Sequence, residues 1–308
     1  MIELSVPEEL AASHSRYFGA AGSAWIAGLP SMAEDHLTRW ECTLDGTPVH
    51  GSLAWVLPVR TGTGEPAVLK LQPVDDETIG EPLALRTWDG HGAVRLLRDD
   101  PATGALLLER CDPDRSLDRV PDDLVALQTL SELLARLTSV PAPPGLRQLS
   151  AIAAGLVERA GAVRDQVTDA DRRLITDCVA AVDQARADPG DRLLHWDLHY
   201  QNVLAPADSR EAWLAIDPKP LAGDPCFELL PALDNRWDEV VATGDVDRAV
   251  LRRFDLMTEV LGLDRARATA WTLGRVLQNL VWSIEDGIDG SFVDVSRRIG
   301  RVLITHRS

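Results

Sequence analysis

Three short runs rich in β-forming residues, at 40–44, 53–59 and 67–71, are separated by Asp45-Gly46-Thr47-Pro48 and Thr61-Gly62-Thr63-Gly64. Glycine and proline at those separations turn the chain, so the pattern predicts three antiparallel strands. A helix is expected over 76–88, ending at Gly90, followed by strands at 93–97 and 105–109 around a turn at Asp99-Asp100-Pro101. Ahead of the first strand, 10–38 reads as short helices broken at Gly28-Leu29-Pro30. After Cys111-Asp112-Pro113 the period changes: Leu127, Leu130, Leu134 and Leu137 step by three and four, which is one face of an amphipathic helix. Further helices are expected at 147–165 and 170–187, then an irregular stretch from 192 to 224, then helices to the end.

The pattern therefore divides the chain into a β-rich lobe, 1–110, with five strands and a helix, and a mostly helical lobe, 111–308. At 308 residues the chain is long enough for both to bury a core. Two unlike lobes commonly bind a ligand in the cleft between them. Charge narrows the partners. Lys plus Arg total 31 against 48 Asp plus Glu, a formal charge of −17. Such a surface repels nucleic acid and anionic membranes, so neither is expected as a partner, and it attracts cationic small molecules. No apolar run is long enough to span a bilayer, and the N-terminus lacks a basic segment followed by an apolar one, so a cytoplasmic protein is expected. Four scattered cysteines fit neither a zinc cage nor a disulfide framework.

Lys70 and Lys219 are the only lysines; the other 29 basic residues are arginines. A compact ammonium retained in an arginine-dominated chain marks a position where a guanidinium does not serve. Lys70 closes the third β-run, Pro66-Ala67-Val68-Leu69-Lys70-Leu71, and its acidic partner is expected on the next helix, with Glu81 preferred over Glu77. The sharpest signal is His195-Trp196-Asp197-Leu198-His199-Tyr200-Gln201-Asn202, of the form H-x-D-x-x-x-x-N. In that spacing an Asp can take the proton of an attacking hydroxyl, and an amide oxygen five residues on can ligate a hard cation. Fifteen residues later Asp217 ends the apolar run Leu214-Ala215-Ile216 and is the second candidate metal ligand. The continuation is Asp217-Pro218-Lys219, without the phenylalanine of the protein-kinase D-F-G, which argues against a protein substrate. Between the first two strands, Gly51 and Ser52 offer backbone N–H groups to a phosphate, although the loop lacks G-x-G-x-x-G. Asp224-Pro225 reads as a helix start, with the helix running to Arg236-Trp237; Glu228, Asp234, Asn235 and Glu239 form an acceptor-rich neighbourhood suited to a cation.

At these residues the chain resembles the aminoglycoside phosphotransferase group of small-molecule kinases. Within it the chain is most similar to the streptomycin 6-kinase and hydroxyurea phosphotransferase family. The group resemblance rests on Leu194-His195-Trp196-Asp197-Leu198-His199 with Asn202. The narrower one rests on Ile216-Asp217-Pro218-Lys219-Pro220-Leu221-Ala222-Gly223-Asp224-Pro225, Asn235-Arg236-Trp237, Leu107-Leu108-Glu109-Arg110 and the 85–93 segment. The resemblance implies a two-lobed, protein-kinase-like α+β fold and an ATP-dependent, magnesium-dependent transfer of the γ-phosphoryl group to a hydroxyl. It further implies that Asp197 is the base, and that Lys70, paired with Glu81 in the nucleotide site, holds ATP phosphates. Asn202 and Asp217 would hold Mg²⁺, and Glu109 and Cys111 would lie at the adenine. The acceptor would meet Asp197, Glu228 and Asn235. A streptomycin-type aminocyclitol is the leading acceptor, with hydroxyurea or an amino sugar as alternatives and a non-catalytic kinase-like binding protein as a third reading.

Overall fold

The computed structural model describes residues 4–207, 210–287 and 290–306. The chain divides into two compact units, one formed by residues up to 112 with 206–211, the other by 113–205 with 212 onward.

In the first unit a long helix, α1 (Glu8–Arg39), precedes strands β1 (Thr43–Leu44), β2 (Val49–His50), β3 (Trp55–Arg60) and β4 (Pro66–Leu71). Helix α2 (Glu81–Trp88) and strands β5 (Leu96–Asp100) and β6 (Ala105–Glu109) follow. The sheet runs β1-β3-β4-β6-β5, with β2 also pairing β3, so it has six strands rather than the expected five. The extra strand arises because the 45–54 connection folds into its own short hairpin against β3, Val49 facing Val56. Strand β3 alternates, burying Trp55, Leu57 and Val59 while Arg60 is exposed, as a sheet with one covered face requires. Those residues join Leu69, Leu71 and Leu107 with Leu10, Leu29 and Ala33 of α1 in one cluster, so α1 covers this face.

Helix α1 corrects the expected break at Gly28-Leu29-Pro30. The chain stays helical through Pro30, and the kink falls at Gly19, where φ is +56 and ψ is −131. Only glycine enters that region without a side-chain clash. Proline in a helix removes one N–H donor and disfavours but does not forbid continuation; the burial of Leu29 and Ala33 holds the helix together on both sides of it.

A further correction falls at the division itself: Cys111–Ser116 is a strand, β7, so helical structure does not follow directly on Pro113. Then come α3 (Asp123–Leu137), β8 (Arg147–Gln148), α4 (Leu149–Val163), α5 (Asp169–Ala185) and β9 (Arg192–Leu194). The irregular stretch holds β10 (Val203–Pro206), β11 (Leu214–Ala215) and β12 (Leu221–Gly223). Asp224 caps a 3-10 turn, Pro225–Glu228, by accepting from the Cys226 N–H at 2.8 Å. The single helix expected from there to Arg236-Trp237 is instead broken into that turn, α6 (Leu230–Leu233) and α7 (Trp237–Ala242), because Arg236 adopts a left-handed φ of +52. Helices α8 (Val246–Leu261), α9 (Arg265–Asp286) and α10 (Ser291–Thr305) complete the unit. The leucine stripe of α3 is fully buried, and α9 is buried at every position from 268 to 281, so α9 is the central post of this unit. No helix among the described residues is long and apolar enough to cross a membrane.

Candidate active site

Each unit carries part of the candidate chemistry. In the first, Lys70 lies on β4 and is 4% exposed; its ammonium donates to both oxygens of Glu81 at 2.8 Å. Glu81 opens α2 and is fully buried, and it also accepts from Gln72 Nε2 at 2.5 Å. A helix N-terminus stabilises such a carboxylate. Of the two glutamates considered for Lys70, Glu81 makes this pair.

Two other expected residues of this unit have prior commitments. The Gly51 N–H donates to Ala54 O at 3.0 Å within the β2–β3 hairpin, so it is taken from the phosphate role, and Ser52 is exposed on the turn. The Glu109 carboxylate accepts from the Arg95 N–H at 2.6 Å and from Arg210, which also reaches Gly90 O. Arg210 arrives in the 206–211 segment, far along the chain, and no sequence signal marks it. Cys111 is half-buried, and no disulfide joins it or the buried Cys42, Cys178 and Cys226.

In the second unit the loop after β9 is stitched to the segment after β11 by a set of hydrogen bonds. His195 is fully buried, with Nε2 bonded to Ile216 O at 3.0 Å and Nδ1 accepting from the Asp197 N–H at 3.3 Å. Burial pushes its pKa down to about 3, so the ring is neutral, which matches one nitrogen donating and the other accepting. The Ile216 N–H donates to Asn202 O at 2.9 Å and the Lys219 N–H to His195 O at 3.0 Å. Asn202 Nδ2 donates to Asp197 O at 2.9 Å, which turns the amide's oxygen end the other way. Asp217 sits at φ +58 and accepts from Lys219 Nζ at 2.9 Å.

Asp197 is half-buried, and desolvation raises its pKa, opposed by His199, Arg275 and Lys219. Asp234, at the end of α6, is pushed up to about 7 by desolvation against the field of Arg275.

Glu228 corrects an expectation. It is fully buried, and its two oxygens accept the Trp196 N–H at 2.9 and 3.0 Å, with a further backbone bond from His195. A carboxylate enclosed beneath the loop does not present itself to an acceptor; it ties down the backbone. Burial raises its pKa to about 7 despite those donors. Asn235 is half-buried, and its carbonyl accepts from Arg253 at 3.0 Å. Asp224, the N-cap, also accepts from Trp271 Nε1 at 3.1 Å and from Arg267, a structural role.

Asn202 and Asp217 supply hard oxygen donors suited to Mg²⁺, which keeps several waters and shares phosphate oxygens. No group of three or more His, Cys, Asp or Glu among the described residues could cage a metal alone, so a cation at these two residues would complete its shell with water or phosphate oxygens.

Residues 39–287 match the family described as aminoglycoside/hydroxyurea antibiotic resistance kinase. The chain belongs to that family. It is 57% identical over 285 residues to a streptomycin 6-kinase of Streptomyces glaucescens, covering 92% of each chain. It is 52% identical over 287 residues to a hydroxyurea phosphotransferase of Kitasatospora aureofaciens, covering 92% of this chain and 82% of that one. Among solved structures, an ethanolamine kinase of Plasmodium vivax matches with a TM-score of 0.56 at 11% identity, covering 100% of this chain and 96% of the other. At that identity the likeness establishes the kinase-like fold alone: a sheet-rich N-terminal part and a helical C-terminal part.

Proposed function

We propose that this family member transfers the γ-phosphoryl group of ATP to a hydroxyl of a streptomycin-type aminocyclitol. The observation that carries the choice of acceptor is the 57% identity, over 92% of both chains, to a streptomycin 6-kinase. The charge of −17 supports a cationic acceptor. In the first unit, Lys70, oriented by Glu81, would hold phosphate oxygens. In the second, Asn202 and Asp217 would hold magnesium, which when bound neutralises phosphate charge. Asp197 would align the acceptor hydroxyl and take its proton. Its raised pKa suits that task, because a base closer in pKa to the working pH accepts a proton more readily. Hydroxyurea is the second reading, favoured by the 52% identical relative.

Incubation with Mg-ATP and each acceptor, followed by mass spectrometry, tests the choice. One added phosphoryl group on streptomycin is expected. Phosphorylation of hydroxyurea with none on streptomycin would replace the first reading by the second, and modification of neither would overturn both.

A further inference from the structure

The residue just before the candidate base is large, and its backbone is in the left-handed region: Trp196 has φ +68. A bulky residue there is strained relative to ordinary backbone, so its surroundings must hold it. Its indole N–H is buried without an acceptor among the described residues, so no hydrogen bond orients the ring. Two guanidiniums lie over the ring instead, Arg147 at 4.5 Å and Arg275 at 4.9 Å from the centroid. Arg147 is on β8 and also donates to Lys219 O at 3.2 Å, two residues past Asp217. Arg275 is on α9, is 7% exposed, donates to Trp196 O at 3.2 Å and stacks on Phe227. Both contacts are cation–π interactions, which strengthen when desolvated.

We propose that Arg147 and Arg275 are positioning residues for phosphoryl transfer, holding the Trp196 indole so that the backbone on which Asp197 stands keeps one conformation. This rests on the reading of Asp197 as the base. Neither arginine need touch a substrate. Each acts through Trp196: Arg275 on both its carbonyl and its ring, and Arg147 on the ring, its bond to Lys219 O serving to hold the guanidinium in place. Small displacements of a catalytic group cost rate more than affinity, so the expected signature is a loss in kcat at nearly constant KM.

The test is steady-state phosphorylation of the acceptor identified by mass spectrometry, with active protein quantified for each variant. Arg275→Gln is expected to lower kcat about 30-fold, with KM for ATP and acceptor within about 3-fold. Arg275→Lys keeps the charge without the planar stack and is expected to recover only part of the loss. Arg147→Gln is expected to lower kcat about 10-fold in the native chain but less than about 3-fold in a Trp196→Gly background, where the ring is absent. Glycine accepts positive φ freely, so that background retains the loop. Equal losses from Arg147→Gln in both backgrounds, unchanged kcat, or losses confined to KM would overturn the proposal. If Arg275→Gln does not fold, the Arg147–Trp196 cycle decides alone. Asp197→Asn separates the two readings. Retained turnover in that variant removes Asp197 as base and the proposal with it, whereas an inactive Asp197→Asn beside fully active arginine variants overturns the positioning role only.

Discussion

The two units place their chemistry by opposite means. Lys70 and Glu81 stand on a strand and at a helix start, within regular elements whose own hydrogen bonds fix them, and the chemistry is one buried ion pair. Asp197 and Asp217 stand on irregular backbone and Asn202 at the end of a single 3-10 turn, with Trp196 and Asp217 both at positive φ. That backbone is maintained by Glu228 on the Trp196 N–H, Arg275 on its carbonyl, and His195 on Ile216. A regular element needs few residues outside itself to aim a side chain. An irregular loop needs a second layer of partners drawn from elsewhere in the chain.

The contrast can be broken at its strongest point first. Asp197→Asn and Asp217→Asn are each expected to lower kcat at least ~10²-fold, as for a lost base or metal ligand; coupled measurement of ADP release checks this, and near-native rates would remove the role. In the first unit, Lys70→Ala is expected to cost about 10–10²-fold in kcat/KM for ATP and Glu81→Gln about 10-fold. Because the pair acts as one, the Lys70→Ala, Glu81→Gln double variant should lose no more than Lys70→Ala alone. Additive losses would mean that the two residues serve separate tasks.

A third measurement separates stability from chemistry. The Glu228 carboxyl is raised by burial from an ordinary 4.5 to about 7, so the folded state binds its proton more tightly than the unfolded state does. Its unfavourable contribution is absent below the unfolded pKa, grows as pH rises from about 4.5 to about 7, and is constant above that. Urea midpoints for the native chain relative to Glu228→Gln should therefore fall between pH 5 and pH 8, and a flat difference would contradict the burial argument. The smallest effect belongs to a regular element: Asp122 accepts the Leu124 and Val125 N–H groups at the start of α3. Asp122→Ala should cost about 1 kcal/mol in stability and leave kcat unchanged.

What could be read beforehand follows the same division. Lys70, Asp197, Asn202 and Asp217 stand out as candidates because their spacing, and the scarcity of lysine, carry chemical meaning without knowledge of contacts. The leucine stripe of α3 was legible because burial imposes a period. Strand β7 was not, since Cys-Asp-Pro-Asp-Arg-Ser has no apolar alternation and is held by pairing with β10. Glu228 was placed with the acceptor because acidity near a site suggests a cation, whereas only the fold reveals that it is enclosed. Arg275 lies 79 residues from the carbonyl it holds, and Arg210 lies 101 residues from Glu109; no local pattern announces such partners.

The near-absence of lysine has a practical consequence. Among the described side chains, amines occur at two places only, and each already faces a carboxylate, Glu81 or Asp217. An acylating reagent applied to the native enzyme therefore has a very short target list: the N-terminal amine, Lys219 at 19% side-chain exposure, and Lys70 at 5%. Peptide mapping after such labelling, with and without nucleotide, would report on both halves of the chemistry from one digest.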